Sequence, residues 1–118
     1  MKRILLCLMV ALFATGCLFA KNNDEKMNVM SYNIRYDNSG DKDNQWKFRR
    51  DFAADLVKFY EADVFGAQEV LNNQLNDLLN RLPEYAYVGV GREDGKTKGE
   101  YAPIFYRKDR FSVDKSGN

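Results

Sequence analysis

Histidine is absent from the chain of 118 residues. That single gap removes the side chain most often used as a catalytic base and the commonest metal ligand. Cysteine is nearly absent as well: Cys7 and Cys17 are the only two, both near the start, so the body of the chain can build neither a disulfide framework nor a cysteine-rich metal site. With Pro two and Trp one, there is no proline-rich linker either. Neither sign of charge dominates. Eighteen Lys and Arg against seventeen Asp and Glu leave +1 at pH 7, which lacks the basic face that long nucleic acid requires and favours small phosphorylated substrates. No apolar run is long enough to span a bilayer, since Ile4 to Phe13 supplies about half of the twenty residues needed. This length supports one ordinary domain at most.

What is present begins with a leader. Lys2 and Arg3 precede the apolar run, and Ala14-Thr15-Gly16 follow it, directly before Cys17. That three-part layout reads as a secretory signal, and the cysteine behind small residues resembles the lipobox of bacterial lipoproteins. The expectation is a signal peptide over residues 1–17 with Cys17 lipidated, a polar linker over 18–26, and a domain over 27–118. The protein would then sit in the bacterial cell envelope, held to a membrane by its lipid. Plain cleavage near Ala20, leaving the protein periplasmic or secreted, is the alternative. Loss of Lys2 and Arg3 would bring the charge to about −1.

Asn28 to Tyr36 alternates, with Met30, Tyr32, Ile34 and Tyr36 on one side, so it predicts a strand. Asp37 to Gln45 is rich in turn formers and predicts a solvated loop; it lacks the D-x-D-x-D-G order and the closing Glu of a calcium loop. Lys47 to Glu61 spaces Phe48, Phe52, Leu56, Phe59 and Tyr60 as the core face of an amphipathic helix. Asp63 to Gln68 reads as a buried strand, and Asn72 to Leu82 as a helix ended by Pro83. Three strands are expected over 85–91, 101–106 and 111–113. The order β-α-β-α-β-β-β is that of a layered α/β domain with both helices on one sheet face.

Three patterns carry chemistry: Met30-Ser31-Tyr32-Asn33-Ile34-Arg35, Gln68-Glu69 at a strand's carboxyl end, and Gly99-Glu100-Tyr101 leading into Ile104-Phe105-Tyr106-Arg107. In this order, with helices between them, they resemble the endonuclease/exonuclease/phosphatase family, over most of residues 27–113. The resemblance implies the amino-terminal half of a deoxyribonuclease-like fold, a partial four-layer α/β sandwich, and metal-dependent hydrolysis of phosphoesters. It places Glu69 as the ligand of a catalytic Mg²⁺ or Mn²⁺, a hard cation that prefers oxygen donors. It places Asn33 as a ligand of that metal or of a phosphate oxygen, and Glu100 as the acid that orients a catalytic histidine. For each residue a plainer reading exists: a loop glutamate, a strand-ending asparagine and an exposed acid. Arg92, Lys96 and Lys98 lie in a mixed loop that is better read as solvated than as a phosphate clamp.

The family's later Asp-x-Asn motif, its Asp-His pair and the histidine that Glu100 would orient have no counterpart here. Asp114 to Asn118 reads as the start of another turn, so the chain is expected to be a partial domain, without turnover on its own. It is also expected to expose a sheet face bearing Met30, Tyr32, Ile34 and Phe65. The competing reading is a surface lipoprotein that uses the fold for binding, with Tyr32, Tyr36, Trp46, Tyr85 and Tyr87 lining its surface. No protein partner is implied.

Overall fold

A computed structural model describes residues 26–117. The expected signal peptide, Cys17 and nearly all of the linker lie outside the described residues.

Four strands form one mixed sheet in the order β1-β2-β4-β3. They are β1 (Val29–Asn33), β2 (Val64–Gln68), β3 (Tyr85–Val88) and β4 (Ile104–Arg107). β1 runs parallel to β2, and the crossover this demands is α1 (Trp46–Phe59). β4 lies antiparallel to both β2 and β3. β2 therefore has neighbours on both sides, and its Phe65 and Ala67 are fully buried, as a short apolar run between two helices implies. α2 (Asn72–Arg81) buries Leu75 and Leu78, and Leu82 is buried just beyond it, before Pro83. The mixed α/β class expected from the sequence is the one observed.

Alternation along β1 is also as expected, but the strand is shorter. It stops at Asn33 because Arg35 takes a left-handed backbone, φ 56°, which no ladder accommodates. The loop after it is a kinked 3-10 segment, Ser39–Asn44, rather than open coil.

Three expectations are overturned. First, residues 111–113 form no strand, because the amides of Arg110 and Phe111 both turn back to the Arg107 carbonyl. The strand expected from Tyr101 begins only at Ile104: Pro103 has no amide to donate, and Tyr101 makes an isolated bridge to Val70.

Second, α1 is rotated relative to its expected core face. Trp46, Ala53, Ala54 and Val57 are buried, whereas Phe48, Phe52, Phe59 and Tyr60 are 57–77% exposed. The aromatic spacing is helical either way. Small Ala53 and Ala54 let the helix approach the core closely, and the Trp46 indole donates to Asp77 of α2 at 2.8 Å, fixing which face turns inward.

Third, the open sheet face is not the one expected. Ile34 and Phe65 are buried and Met30 and Tyr32 pack on the same core, where Phe65 stacks on Phe105 with ring centroids 4.5 Å apart. The opposite face carries Val29 and Ile104, 65% and 49% exposed, together with Ser31, Gly66 and Gln68. Aromatics proposed as a binding surface are largely spent in the core: Trp46 and Tyr85 are buried, and Tyr32 and Tyr87 lie against them.

The end of the sheet far from the β1 and β2 carboxyl ends is closed by Asp63, which is 4% exposed. Its carboxylate accepts from the Asn28 amide at 2.8 Å and pairs with Arg110 at 2.6 Å. Its backbone amide donates to Asn28, and its carbonyl accepts from Arg107. One residue thus joins β1, the start of β2 and the end of β4.

Candidate active site

Parallel pairing puts the carboxyl ends of β1 and β2 side by side, with Asn33 in register with Gln68. Crevices form at such ends of α/β sheets. Here a cleft of about 820 Å³ opens, lined by Asn33, Gln68, Glu69, Arg92, Glu100 and Tyr101 among others. The sequence-predicted Asn33, Glu69 and Glu100 therefore share one cavity.

Asn33 and Glu69 touch. The Asn33 amide donates to Glu69 Oε1 at 2.9 Å, and the Tyr36 backbone amide donates to Oε2 at 3.3 Å. Asn33 Oδ1 accepts from the Arg35 amide at 2.8 Å. The asparagine's visible work is thus to hold the carboxylate and to end its own strand. The Asn33 amide bond, then the Tyr36 amide, lower the Glu69 carboxyl against the opposing effect of desolvation, and the Arg35 charge lowers it further. Glu69 itself has φ 56°. A non-glycine residue in this region costs on the order of 1 kcal/mol or more, and such residues cluster at functional sites.

Glu100 takes another partner, Arg92, at 3.2 Å. The loop between them is self-bonded: the Gly91 amide reaches the Lys96 carbonyl, the Glu93 amide reaches that of Lys98, and Asp94 accepts from the Lys96 and Lys98 amides. A Cβ at Gly91 would sit 2.3 Å from the Lys98 carbonyl, so only glycine fits. The Tyr101 hydroxyl then ties the loop to α2 through Asn72 at 3.1 Å. Glu100 and Arg92 are at the cleft, while Lys96 and Lys98 are exposed, as a solvated loop implies.

Two bracing residues were not foreseen. Arg49 of α1 donates to the Ile34 carbonyl at 2.8 Å and to Asn44 at 2.6 Å, pinning the loop after β1. Gln74 of α2 is fully buried and bonds both loops that flank Glu69. A signal for Gln74 existed: it stands four residues before Leu78, a polar residue on the helix's apolar face.

Glu69 suits one hard cation, because its carboxylate is held ionised and each oxygen still has acceptor capacity. Among the described residues no group of three Asp, Glu, Cys or His side chains could hold a metal. The residues present therefore fit a cation that keeps most of its waters, as Mg²⁺ does.

A mixed sheet carrying helices on one face, with this carboxylate at the end of a parallel pair, belongs to the deoxyribonuclease-like α/β class. No protein-family model matches the chain. Solved structures do. An endonuclease/exonuclease/phosphatase from Bacteroides vulgatus is 54% identical, with a TM-score of 0.71, over 72% of this chain and 33% of its own. The mannosyl-6-phosphatase of Bacteroides thetaiotaomicron is 42% identical, with a TM-score of 0.75, over 78% and 35%. A curated relative, the CCR4-Not complex 3'-5'-exoribonuclease subunit Ccr4 of Mycosarcoma maydis, is 28% identical over 75% of this chain and 16% of its own length. The chain carries the amino-terminal part of an endonuclease/exonuclease/phosphatase-family domain, and it spans about a third of the length of these solved relatives.

Proposed function

We propose that the protein is a metal-dependent hydrolase of phosphoesters, acting on small phosphorylated substrates, and that these residues supply its metal-holding carboxylate. The observation that carries this reading is the Glu69 carboxylate, braced by Asn33 and Tyr36 at the mouth of the cleft. A bound Mg²⁺ or Mn²⁺ would supply charge stabilisation to phosphorus-bound oxygens under attack by water. Glu69 would hold it, and Asn33 would keep the carboxylate turned toward the cleft. Arg92, paired to Glu100 yet with its side chain 68% exposed, can turn toward a phosphate at little cost. With no histidine, proton transfer has no imidazole to use, so these residues alone are expected to give no turnover, forgoing about a hundredfold or more on that account. Near-neutral charge supports a small substrate over long nucleic acid.

The test is a hybrid that joins residues 26–117 to the remaining two thirds of the mannosyl-6-phosphatase. Hydrolysis of mannose 6-phosphate and bis-p-nitrophenyl phosphate that needs Mg²⁺ or Mn²⁺ supports the reading. A hybrid with a cooperative melt and no hydrolysis of either compound overturns it. For location, we propose anchorage through a lipid on Cys17, a single tether that does not span the bilayer. Labelled fatty acid should enter the wild-type protein and not Cys17→Ser; equal labelling of the two removes the anchor.

A further inference from the structure

We infer that Gln74 is a positioning residue for Glu69, acting through the peptide group that joins Arg35 to Tyr36. The inference rests on the metal-site reading of Glu69 and adds a residue to it.

Gln74 side-chain Nε2 donates to the Arg35 carbonyl at 2.8 Å, and its Oε1 accepts from the amides of Asp37 and Leu71, each at 3.0 Å. It therefore grips the loop that follows β1 and the loop that follows β2 at once. The Arg35 carbonyl and the Tyr36 amide belong to one peptide unit, which is planar and points its C=O and N–H in opposite directions. Gln74 holds the carbonyl end of that plane. The amide end donates to Glu69 Oε2 at 3.3 Å. Fixing one end fixes the other, so a helix side chain that never reaches the cleft aims a donor at the carboxylate inside it.

The peptide needs such a hold. Arg35 is left-handed at φ 56°, a conformation that persists only where surroundings over-determine it. Rotation of this peptide, which changes ψ of Arg35 and φ of Tyr36, would turn the Tyr36 amide away from Glu69. Arg49 approaches the same carbonyl, but at 3.4 Å it is the weaker restraint. Gln74 also has a purely structural part, since its Oε1 accepts from the backbone amide of Leu71, the residue at the start of α2. The two parts are separable. Gln74→Glu keeps the acceptor oxygens and loses the donor to Arg35, whereas Gln74→Met loses both.

Two measurements on the full chain decide the matter. Without metal, amide spectra should show the Tyr36 proton shifted toward its unbonded position in Gln74→Glu and Gln74→Met, and in Glu69→Gln. With Mn²⁺, line broadening of the Glu69 and Tyr36 amides gives an affinity; it should weaken roughly tenfold or more in both Gln74 variants, the range typical of residues that orient metal ligands. Because affinity is read well below each variant's melting temperature, a merely structural glutamine would leave it at the wild-type value. Unchanged Tyr36 signals and unchanged Mn²⁺ affinity in Gln74→Glu would overturn the inference. If instead Glu69→Gln binds Mn²⁺ as wild type does, the metal-site reading fails, while the Tyr36 shift still reports whether Gln74 orients the carboxylate.

Discussion

Glu69→Ala in the hybrid enzyme is expected to lower kcat/KM on the order of a thousandfold, with Mg²⁺ affinity falling in parallel. Loss of a catalytic metal's ligand removes several kcal/mol of transition-state stabilisation, and each 1.4 kcal/mol is about a decade in rate. Glu69→Asp should retain part of the activity, since the charge survives but its oxygens retreat from Asn33 and Tyr36, which now hold them at 2.9 and 3.3 Å. The carboxyl is depressed by those two bonds, so it stays ionised through neutral pH, and metal affinity should be flat there and decline only in acid. Calorimetric titration of Mg²⁺ alongside steady-state kinetics checks both statements. An alanine variant with wild-type metal affinity would return Glu69 to the status of an ordinary loop glutamate.

Asp63→Asn should produce the largest loss of stability of any single substitution proposed for this chain, about 2–3 kcal/mol at neutral pH. The charged carboxylate is almost fully buried, receives the Asn28 amide and pairs with Arg110. An amide keeps the shape and loses the ion pair. The Asn28 bond most strongly lowers the Asp63 carboxyl, desolvation raises it, and Arg110 lowers it again, leaving it below the ordinary range. A depressed carboxyl contributes stability that is present above the unfolded value, about 3.9, and is lost as pH falls through the folded one. The gap between wild type and Asp63→Asn should accordingly be widest at pH 7 and close below about pH 4. Melting curves of the two proteins across that range test it; a gap that persists undiminished at pH 2 would show that the charge is not what stabilises.

Much of this was readable in advance where the signal is local. Alternation grouped Met30, Tyr32 and Ile34 on one side, as they are found, and the helix expected over Asn72 to Leu82 forms with Leu75, Leu78 and Leu82 buried. Asn33, Glu69 and Glu100 were legible through motif order, and they do line one cleft. What escaped depends on partners distant in sequence. Helical spacing in α1 permits two faces, and the choice between aromatics and alanines is made by α2, through Asp77 gripping Trp46. The open sheet face was misassigned because alternation says that two faces differ, not which of them the helices cover. Gln74 is invisible to motif reading because its three partners, at positions 35, 37 and 71, lie in two separate loops.

The left-handed backbone at Arg35 and Glu69 has a consequence for anyone engineering this fold. Glycine would take φ 56° at either position without the penalty a side chain incurs. A library screened for heat resistance alone would therefore drift toward glycine at position 69, trading the cleft's carboxylate for a relaxed turn. Thermostability and chemistry compete for the same residue, and a stabilised scaffold should be built with positions 35 and 69 locked before selection begins.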